Sequence, residues 1–453
     1  MIMNNLTISN SLTRSKDLFK PINPKKISMY VCGPTVYDNP HVGNARSLVV
    51  FDLLYRVLNK LYGKNNVTYV RNITDVDDKI IEAAKQKNVA IEKITNDVTK
   101  IFNQNTKDLN CLKPSVEPKA TEHIKEMIDM ISSLIKKKLA YENKGHVYFL
   151  ISGFKDYGKL SNKKIDELVA GSRVEVSDLK KNPLDFILWK PALPDEPGWE
   201  SPWGRGRPGW HLECSVMSEK YLGKEFDIHG GGLDLLFPHH ENEIAQSCSN
   251  NSTKILANYW VHNGFLTMKK EKMSKSIGNI QTITEVLENY NGQVIRLALL
   301  SAHYKQPLDW NNNLLEQSKT NLEKWYELYD EKDTDADISE IFSLLLDDLN
   351  TPKYFTKLHD LYNSTVKGDA NKRKEFNSAC RFIGIFNEKK EALAQKKKDQ
   401  SKIDENYILT KINERINARK AGDFKLADQI RDDLLNKGII IEDKQDKTEW
   451  KYK

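Results

Sequence analysis

Apolar residues recur along the chain in two rhythms. Short strand-like runs occupy residues 27–32, 67–70, 226–229 and 259–266, the first of them apolar enough to be buried. Between the first two runs lies the turn Gly33-Pro34. Beyond it Leu48, Val49, Phe51, Leu54, Val57 and Leu58 fall at helical spacing. Strand, turn, helix and strand in that order predict a parallel α/β sheet. A long polar helical stretch is expected after the second strand. Residues from about 117 to 206 interrupt the sheet pattern with helix, short strands and Pro-rich turns, and read as an insertion. From residue 283 onward the pattern is helical, with bundle helices expected over 344–349 and 354–362. Residues 388–403 are rich in Lys and Glu and poor in large apolar side chains, which marks a linker. The last block predicts helices over 408–419 and 424–436 and a strand over 438–442.

At 453 residues the chain is too long for one core. Its 39% apolar and 29% charged residues are ordinary for a water-soluble protein, and the net charge of +6 fits a polyanionic partner without requiring one. The first twenty residues hold no apolar core of signal-peptide type, and no run is apolar and long enough to cross a bilayer. A cytoplasmic location and no membrane association are therefore expected. Five cysteines (Cys32, Cys111, Cys214, Cys248 and Cys380) are an odd number in a large chain, so ligand roles are expected rather than a disulfide framework.

Three constellations carry chemistry. Pro40-His41-Val42-Gly43-Asn44 lies between a strand and an apolar helix. A helix start offers N–H groups and a positive dipole end to phosphate, glycine lets backbone approach a ligand, and His41 can hydrogen-bond a phosphate oxygen. Lys272-Met273-Ser274-Lys275-Ser276, followed by Ile277-Gly278-Asn279, supplies lysines and serines able to clamp a triphosphate and stabilise departing pyrophosphate. The third is a metal candidate. Cys32 ends the first strand, where sites in parallel sheets lie. Cys214 follows Trp210-His211-Leu212-Glu213, and Phe237-Pro238-His239-His240-Glu241-Asn242-Glu243 is expected to form a helix opened by Pro238. On that helix His239 and Glu243 are four apart and His240 and Glu243 three apart, so spacing leaves the choice of histidine open. Two thiols, one imidazole and one carboxylate make a zinc set. Half of the ten histidines fall between His211 and His262.

Together these motifs resemble the class I aminoacyl-tRNA synthetases. His-Val-Gly-Asn is similar to their first signature and Lys-Met-Ser-Lys-Ser to their second, in the expected order. The residues Tyr30-Val31-Cys32-Gly33-Pro34-Thr35-Val36-Tyr37-Asp38 resemble the cysteinyl branch. So do Asn72-Ile73-Thr74-Asp75-Val76-Asp77-Asp78-Lys79, Pro208-Gly209-Trp210-His211-Leu212-Glu213-Cys214-Ser215, and residues 229–246. The resemblance extends over nearly the whole chain.

The resemblance implies a Rossmann-like parallel-sheet catalytic domain with an inserted connective domain, then a helical bundle and a small C-terminal α+β tRNA-binding domain. The expected boundaries are 1–116 and 207–260 for the catalytic halves and 117–206 for the insertion. The region 261–315 is expected to hold the second signature and a stem-contact segment. The bundle is expected over 316–387, the linker over 388–404 and the anticodon-binding domain over 405–453. The implied activity is activation of L-cysteine with ATP and its transfer to tRNA(Cys), by a monomer. The implied zinc ligands are Cys32, Cys214, His239 and Glu243, which singles out His239. Thr74 and Trp210 are implied around the substrate cysteine. His41, Asn44, Lys272 and Lys275 are implied as catalytic groups, and Gly230, Gly231, Gly232 and Asp234 join His41, Asn44 and Lys275 around ATP, which enters with Mg2+. Asn44 departs from the family's histidine, and an amide donates a hydrogen bond but carries no proton charge. Cysteine and serine differ by one atom, and shape separates such isosteres only ~10²-fold. A zinc-bound thiolate separates them chemically, so no editing domain is expected in the insertion. Two other readings fit the same signatures: a cysteine ligase acting on an amino sugar, and a catalytically silent RNA-binding protein. The block at 405–453 argues against the first, and the intact lysines and ligand set against the second.

Overall fold

A computed structural model describes residues 5–163, 178–268, 271–273, 278–390, 392, 403–443 and 448–452. The chain divides into two units. One holds residues 1–328 and 333–385, the other residues 329–332 and 386–453.

The centre of the first unit is a four-stranded parallel sheet in the spatial order Ala257–Asn263, Phe226–Gly232, Ile27–Val31, Val67–Arg71. All five residues of Ile27–Val31 are buried, as a strand covered on both faces requires. Between the two strands on one side runs the helix Val42–Tyr62, which buries Leu48, Val49, Phe51, Leu54, Val57 and Leu58. From Ile27–Val31 the chain goes outward to Val67–Arg71, while Phe226–Gly232 lies on the opposite side. The connection therefore changes direction between Ile27–Val31 and Phe226–Gly232. A crevice opens at such a point outside the carboxyl ends of the strands. Cys32 sits there, its N–H donating to the Gly230 carbonyl at 3.1 Å.

The polar stretch after the second strand forms the helices Asp78–Lys87 and Ile91–Asp108. The interrupted region contributes the helix Ile124–Lys136 and a four-stranded antiparallel sheet made of Ala140–Asn143, His146–Phe149, Phe186–Pro191 and Gly206–Pro208. Helices Asn312–Leu328, Thr351–Val366 and Ala370–Phe382 complete the unit. No helix among the described residues is long and apolar enough to cross a membrane.

Two expected elements differ. The strand expected over 259–266 breaks at Gly264. There the Gly264 N–H donates to Tyr304 O at 2.8 Å, and an added Cβ would lie 2.6 Å from Lys305 O. Residues 344–349 form only the 3₁₀ turn Leu344–Leu346, followed by Asp348 and Leu349 at φ of +60° and +51°. The Asp348 carboxylate accepts from Ser9 N at 2.7 Å and Tyr304 OH at 2.7 Å, so distant partners override the local helical pattern.

The second unit contains the helices Glu405–Lys420 and Phe424–Asn436 and a hairpin of Ile439–Asp443 with Thr448–Tyr452. Ile408, Ile412, Ile430, Leu434, Ile439 and Ile441 form its core.

Candidate metal centre and nucleotide cleft

Four donor atoms meet behind the crevice. Cys32 arrives at the end of a core strand, and Cys214 on the helix Trp210–Leu222. His239 comes from the turn Leu236–His240, and Glu243 from the helix Glu241–Asn251. Pro238 does not open that helix as expected: Phe237 is extended at φ −142°, and the regular helix begins at Glu241. The i, i+4 pair survives the irregular turn, with His239 Nε2 3.1 Å from Glu243 Oε1. Cys32 Sγ lies 3.4 Å from Cys214 Sγ, 3.5 Å from His239 Nε2 and 3.4 Å from Glu243 Oε1. All four ligand atoms fall within 4.8 Å of one another. The separations of 3.1–3.5 Å are edge lengths of a tetrahedron whose centre lies about 2 Å from its corners, close to the ~2.0–2.3 Å bonds of zinc to N, O and S.

A second grouping, Cys32, His229, His240 and Glu243, is also compact. Both of its histidines also approach Glu243. His229 Nε2 lies 2.7 Å from the other Glu243 oxygen, and His240 Nδ1 lies 2.8 Å from His262 Nε2. His240 Nε2 stands 3.9 Å from Glu243 Oε1. His239 likewise gives Nδ1 to a second histidine, His211 Nδ1 at 2.8 Å, but its Nε2 is the nearer one, 3.1 Å from Glu243 Oε1 and 3.5 Å from Cys32 Sγ. Imidazoles and carboxylates held from behind in this way are what metal ligands require.

The electrostatics favour a cation. Burial alone would raise the Glu243 pKa, yet His229 and His239 hold it well below the carboxylate range. Burial would lower His239, but Glu243 and Cys214 bring it up to about 10. Burial would likewise raise Cys214, and hydrogen bonds from Cys32 and His239 bring it down to about 6. Burial and the neighbouring Cys214 push the Cys32 thiol up. His211 and His262 are lowered to about 3, first by burial and then by neighbouring imidazoles, so they act as neutral hydrogen-bond partners.

The crevice in front encloses about 400 Å³ and is lined by Cys32, Trp210, His41, Asn44, Gly232 and Asp234, among others. The Trp210 ring stacks on His239 with centroids 4.1 Å apart. Thr74 is buried near Cys214; its hydroxyl donates to Glu213 Oε2 at 2.6 Å and accepts from Asn72 Nδ2 at 3.2 Å. Asn72 Oδ1 also accepts from the Gly33 N–H at 2.8 Å and from the Cys214 thiol at 3.6 Å.

At the other end His41 caps the helix Val42–Tyr62. Its Nδ1 accepts from the Asn44 N–H at 3.3 Å, while Asn44 Oδ1 accepts from the His41 N–H at 3.0 Å. An asparagine side chain thus completes a reciprocal cap with the histidine. Gly43 makes room for the His41 ring, which an added Cβ would meet at 2.8 Å. The three sequence-predicted glycines divide. An added Cβ at Gly230 would strike the Phe51 ring at 2.2 Å, and one at Gly231 would press on Leu235 and His240. Only Gly232 lines the crevice. Lys272 belongs to the short strand Glu271–Lys272, paired with Leu266–Met268. Lys275 lies outside the described residues.

Asn72, Glu213, His211, His229 and His262 carry supporting positions to which motif reading assigned no role. The crowding of histidines between 211 and 262 was the available signal. In the second unit Arg415 and Arg419 both bind Asp443, Arg415 through two bonds of 2.8 Å each.

The family model described as the class I (C) tRNA synthetase catalytic domain matches residues 18–320. A cysteine–tRNA ligase of Pelagibacter ubique is 58% identical over 98% of this chain and 99% of its own. One of Rickettsia bellii is 49% identical over 97% of each. Among solved structures, a Mycobacterium tuberculosis methionyl-tRNA synthetase bound to methionyl-adenylate superposes with a TM-score of 0.55 at 13% identity, covering 79% of this chain and 89% of its own. An Agrobacterium radiobacter leucyl enzyme in a ternary complex does so with a TM-score of 0.57 at 10% identity, covering 81% and 83%. These two share the fold alone. The signatures, the parallel sheet with its crevice and the full-length similarity together make this chain a member of the class I aminoacyl-tRNA synthetases, in the cysteine–tRNA ligase family.

Proposed function

We propose that this chain activates L-cysteine with ATP and Mg2+ and transfers it to tRNA(Cys), with one zinc ion held by Cys32, Cys214, His239 and Glu243. The convergence of those four donors at the closed end of the crevice carries the reading. When bound, zinc supplies a Lewis acid that lowers the thiol pKa and takes a thiolate far more readily than a hydroxyl, which separates cysteine from serine.

The chain's own groups do the rest. Trp210 and Thr74 border the amino acid, and Asn72 and Glu213 fix the direction of the Thr74 hydroxyl. The side chains of His41 and Asn44 face the phosphates at the start of Val42–Tyr62, where the helix dipole favours negative charge. Gly232 and Asp234 border the adenosine. The cysteine carboxylate attacks the α-phosphorus, its bond to pyrophosphate breaks, and Lys272 and Lys275 stabilise the departing charge. A ribose hydroxyl at the tRNA terminus then attacks the acyl carbon, AMP leaves, and the ester forms. Positioning and charge stabilisation supply most of the rate. The unit at 405–453 is the proposed anticodon-binding domain, and it favours tRNA over an amino sugar as acceptor.

The test pairs a zinc assay on purified protein with cysteine-dependent ATP–pyrophosphate exchange and charging of tRNA(Cys). About one zinc per chain, exchange far stronger with cysteine than with serine, and charged tRNA are expected. Metal-free protein that activates both amino acids equally would sink the reading.

A further inference from the structure

Arg46 lies two residues beyond Asn44 on the helix that starts at the nucleotide end, and its side chain is fully buried. A buried guanidinium normally faces a carboxylate, yet every acceptor found for Arg46 is a backbone carbonyl. Nη1 donates to Gly264 O at 3.1 Å and Phe265 O at 2.6 Å; Nη2 donates to His303 O at 3.4 Å and to Gln306 O. Burial lowers its pKa only to about 10, so it stays cationic at neutral pH.

The four carbonyls belong to two neighbouring segments. Gly264 and Phe265 join the core strand Ala257–Asn263 to Leu266–Met268, the strand that leads to Lys272 and pairs with it. His303 and Gln306 precede Leu308–Asp309, which pairs with Leu266–Met268 on its other side. Backbone approaches backbone so closely here that Gly264 admits no Cβ, which would lie 2.6 Å from Lys305 O and 2.9 Å from Gln306 O. Beyond the lysines the chain returns to the same helix start. The Val42 N–H donates to Gln281 O at 3.0 Å, the Ile283 N–H to Pro40 O at 2.9 Å, and His41 bridges Thr282. The lysine-bearing segment is thus tied at both ends to the helix that presents His41 and Asn44, and Arg46 is the tie at its beginning.

We propose that Arg46 is a positioning residue for adenylate formation: by binding the carbonyls of Gly264, Phe265, His303 and Gln306 it holds the strand bearing Lys272 in register with His41 and Asn44. The inference rests on the nucleotide-side reading given above. Lysine cannot reproduce this role, because one ammonium lacks the planar fork that reaches both segments at once. A shift near 1 Å between catalytic groups costs on the order of 10²-fold in rate.

Arg46→Lys is therefore expected to lower the turnover of ATP–pyrophosphate exchange by about 10²-fold. The KM for the amino acid, the zinc content and the melting temperature should stay close to those of the unaltered chain. Gly264→Ala, which presses on the same seam from the other side, should also lower turnover while leaving the metal content and the KM for the amino acid in place, at some cost in melting temperature where its Cβ meets the Lys305 and Gln306 carbonyls. The proposal is overturned if both variants keep full exchange turnover, or if turnover, metal content and melting temperature fall together in both, as a purely fold-holding arginine requires. Should the unaltered chain exchange with another amino acid and not with cysteine, the substrate assignment falls, and Arg46→Lys is measured with that amino acid. Exchange with no amino acid would overturn both.

Discussion

The metal corner and the C-terminal unit both gather charged side chains, and they do so under opposite conditions. In the metal corner Glu243 is fully buried, and its partner Cys32 lies 211 positions away in the chain. In the C-terminal unit Arg415 meets Asp443 only 28 positions away, and the Asp443 side chain is 37% exposed. Burial without water makes an uncompensated charge expensive, and Glu243 is compensated there by His229 and His239. Arg415 is buried but Asp443 is partly exposed and screened, so the pair adds modestly to the stability of one small unit. Similar charged groups are therefore held dry in one place and left partly in water in the other.

The sharpest way to break this contrast is Cys214→Ser. It should remove stoichiometric zinc and cut cysteine-over-serine discrimination by on the order of 10²-fold or more, leaving only shape to discriminate. Metal content and competition between the two amino acids read this directly, and unchanged values would show that the corner is not a selectivity device. Ending the chain after Lys398 removes the other partner of the comparison. Exchange should continue, while kcat/KM for charging tRNA(Cys) falls by about 10²-fold, the equivalent of roughly 3 kcal/mol of lost binding. Equal loss of both steps would deny the C-terminal unit a separate role.

A subtler probe leaves all four ligands in place. His229→Gln withdraws the imidazole that orients the Glu243 carboxylate and should weaken zinc affinity by roughly tenfold. Chelator competition would measure it, and an unchanged affinity would place His229 outside the metal's support. The smallest effect belongs to the partly exposed pair. Arg415→Ala should cost the C-terminal unit about 1 kcal/mol, after allowance for the exposure of Asp443. Bonding to Arg415 depresses the Asp443 pKa, so its contribution is complete above the ordinary carboxylate pKa of about 3.9 and fades as pH falls through the lowered folded value. Acid titration of the unit's helical signal should show this fading in the unaltered chain and its absence in Arg415→Ala.

Much of the fold was legible because the periods were clean. Ile27–Val31, Val67–Arg71 and Phe226–Gly232 read as strands from short runs rich in apolar and β-branched residues, and Phe424–Asn436 read as a helix. Residues 344–349 failed because Leu344, Leu345 and Leu346 look helical locally, while Asp348 answers to Ser9 and Tyr304. The strand at 448–452 was missed, since its apolar side chains are few and its pairing with Ile439–Asp443 supplies the order. At the site, residue type and family resemblance nominated Cys32, Cys214, His239 and Glu243. Helical spacing alone did not separate His239 from His240. That choice depends on distance in the folded chain, because His239 Nε2 lies 3.1 Å from Glu243 Oε1 and His240 Nε2 3.9 Å.

By itself the amino-acid order determined the layered α/β architecture, the two signature segments and a short roster of candidate ligands. These follow from local periodicity and side-chain chemistry, which act over a few residues. Tertiary structure alone decided that residues 32, 214, 239 and 243 share one point, that the Asn44 amide caps His41, and that Arg46 bridges two backbone segments more than two hundred positions away. Those outcomes depend on which strand ends adjoin across the sheet and which buried polar atoms must find partners there, and neither is encoded in any single stretch of the chain.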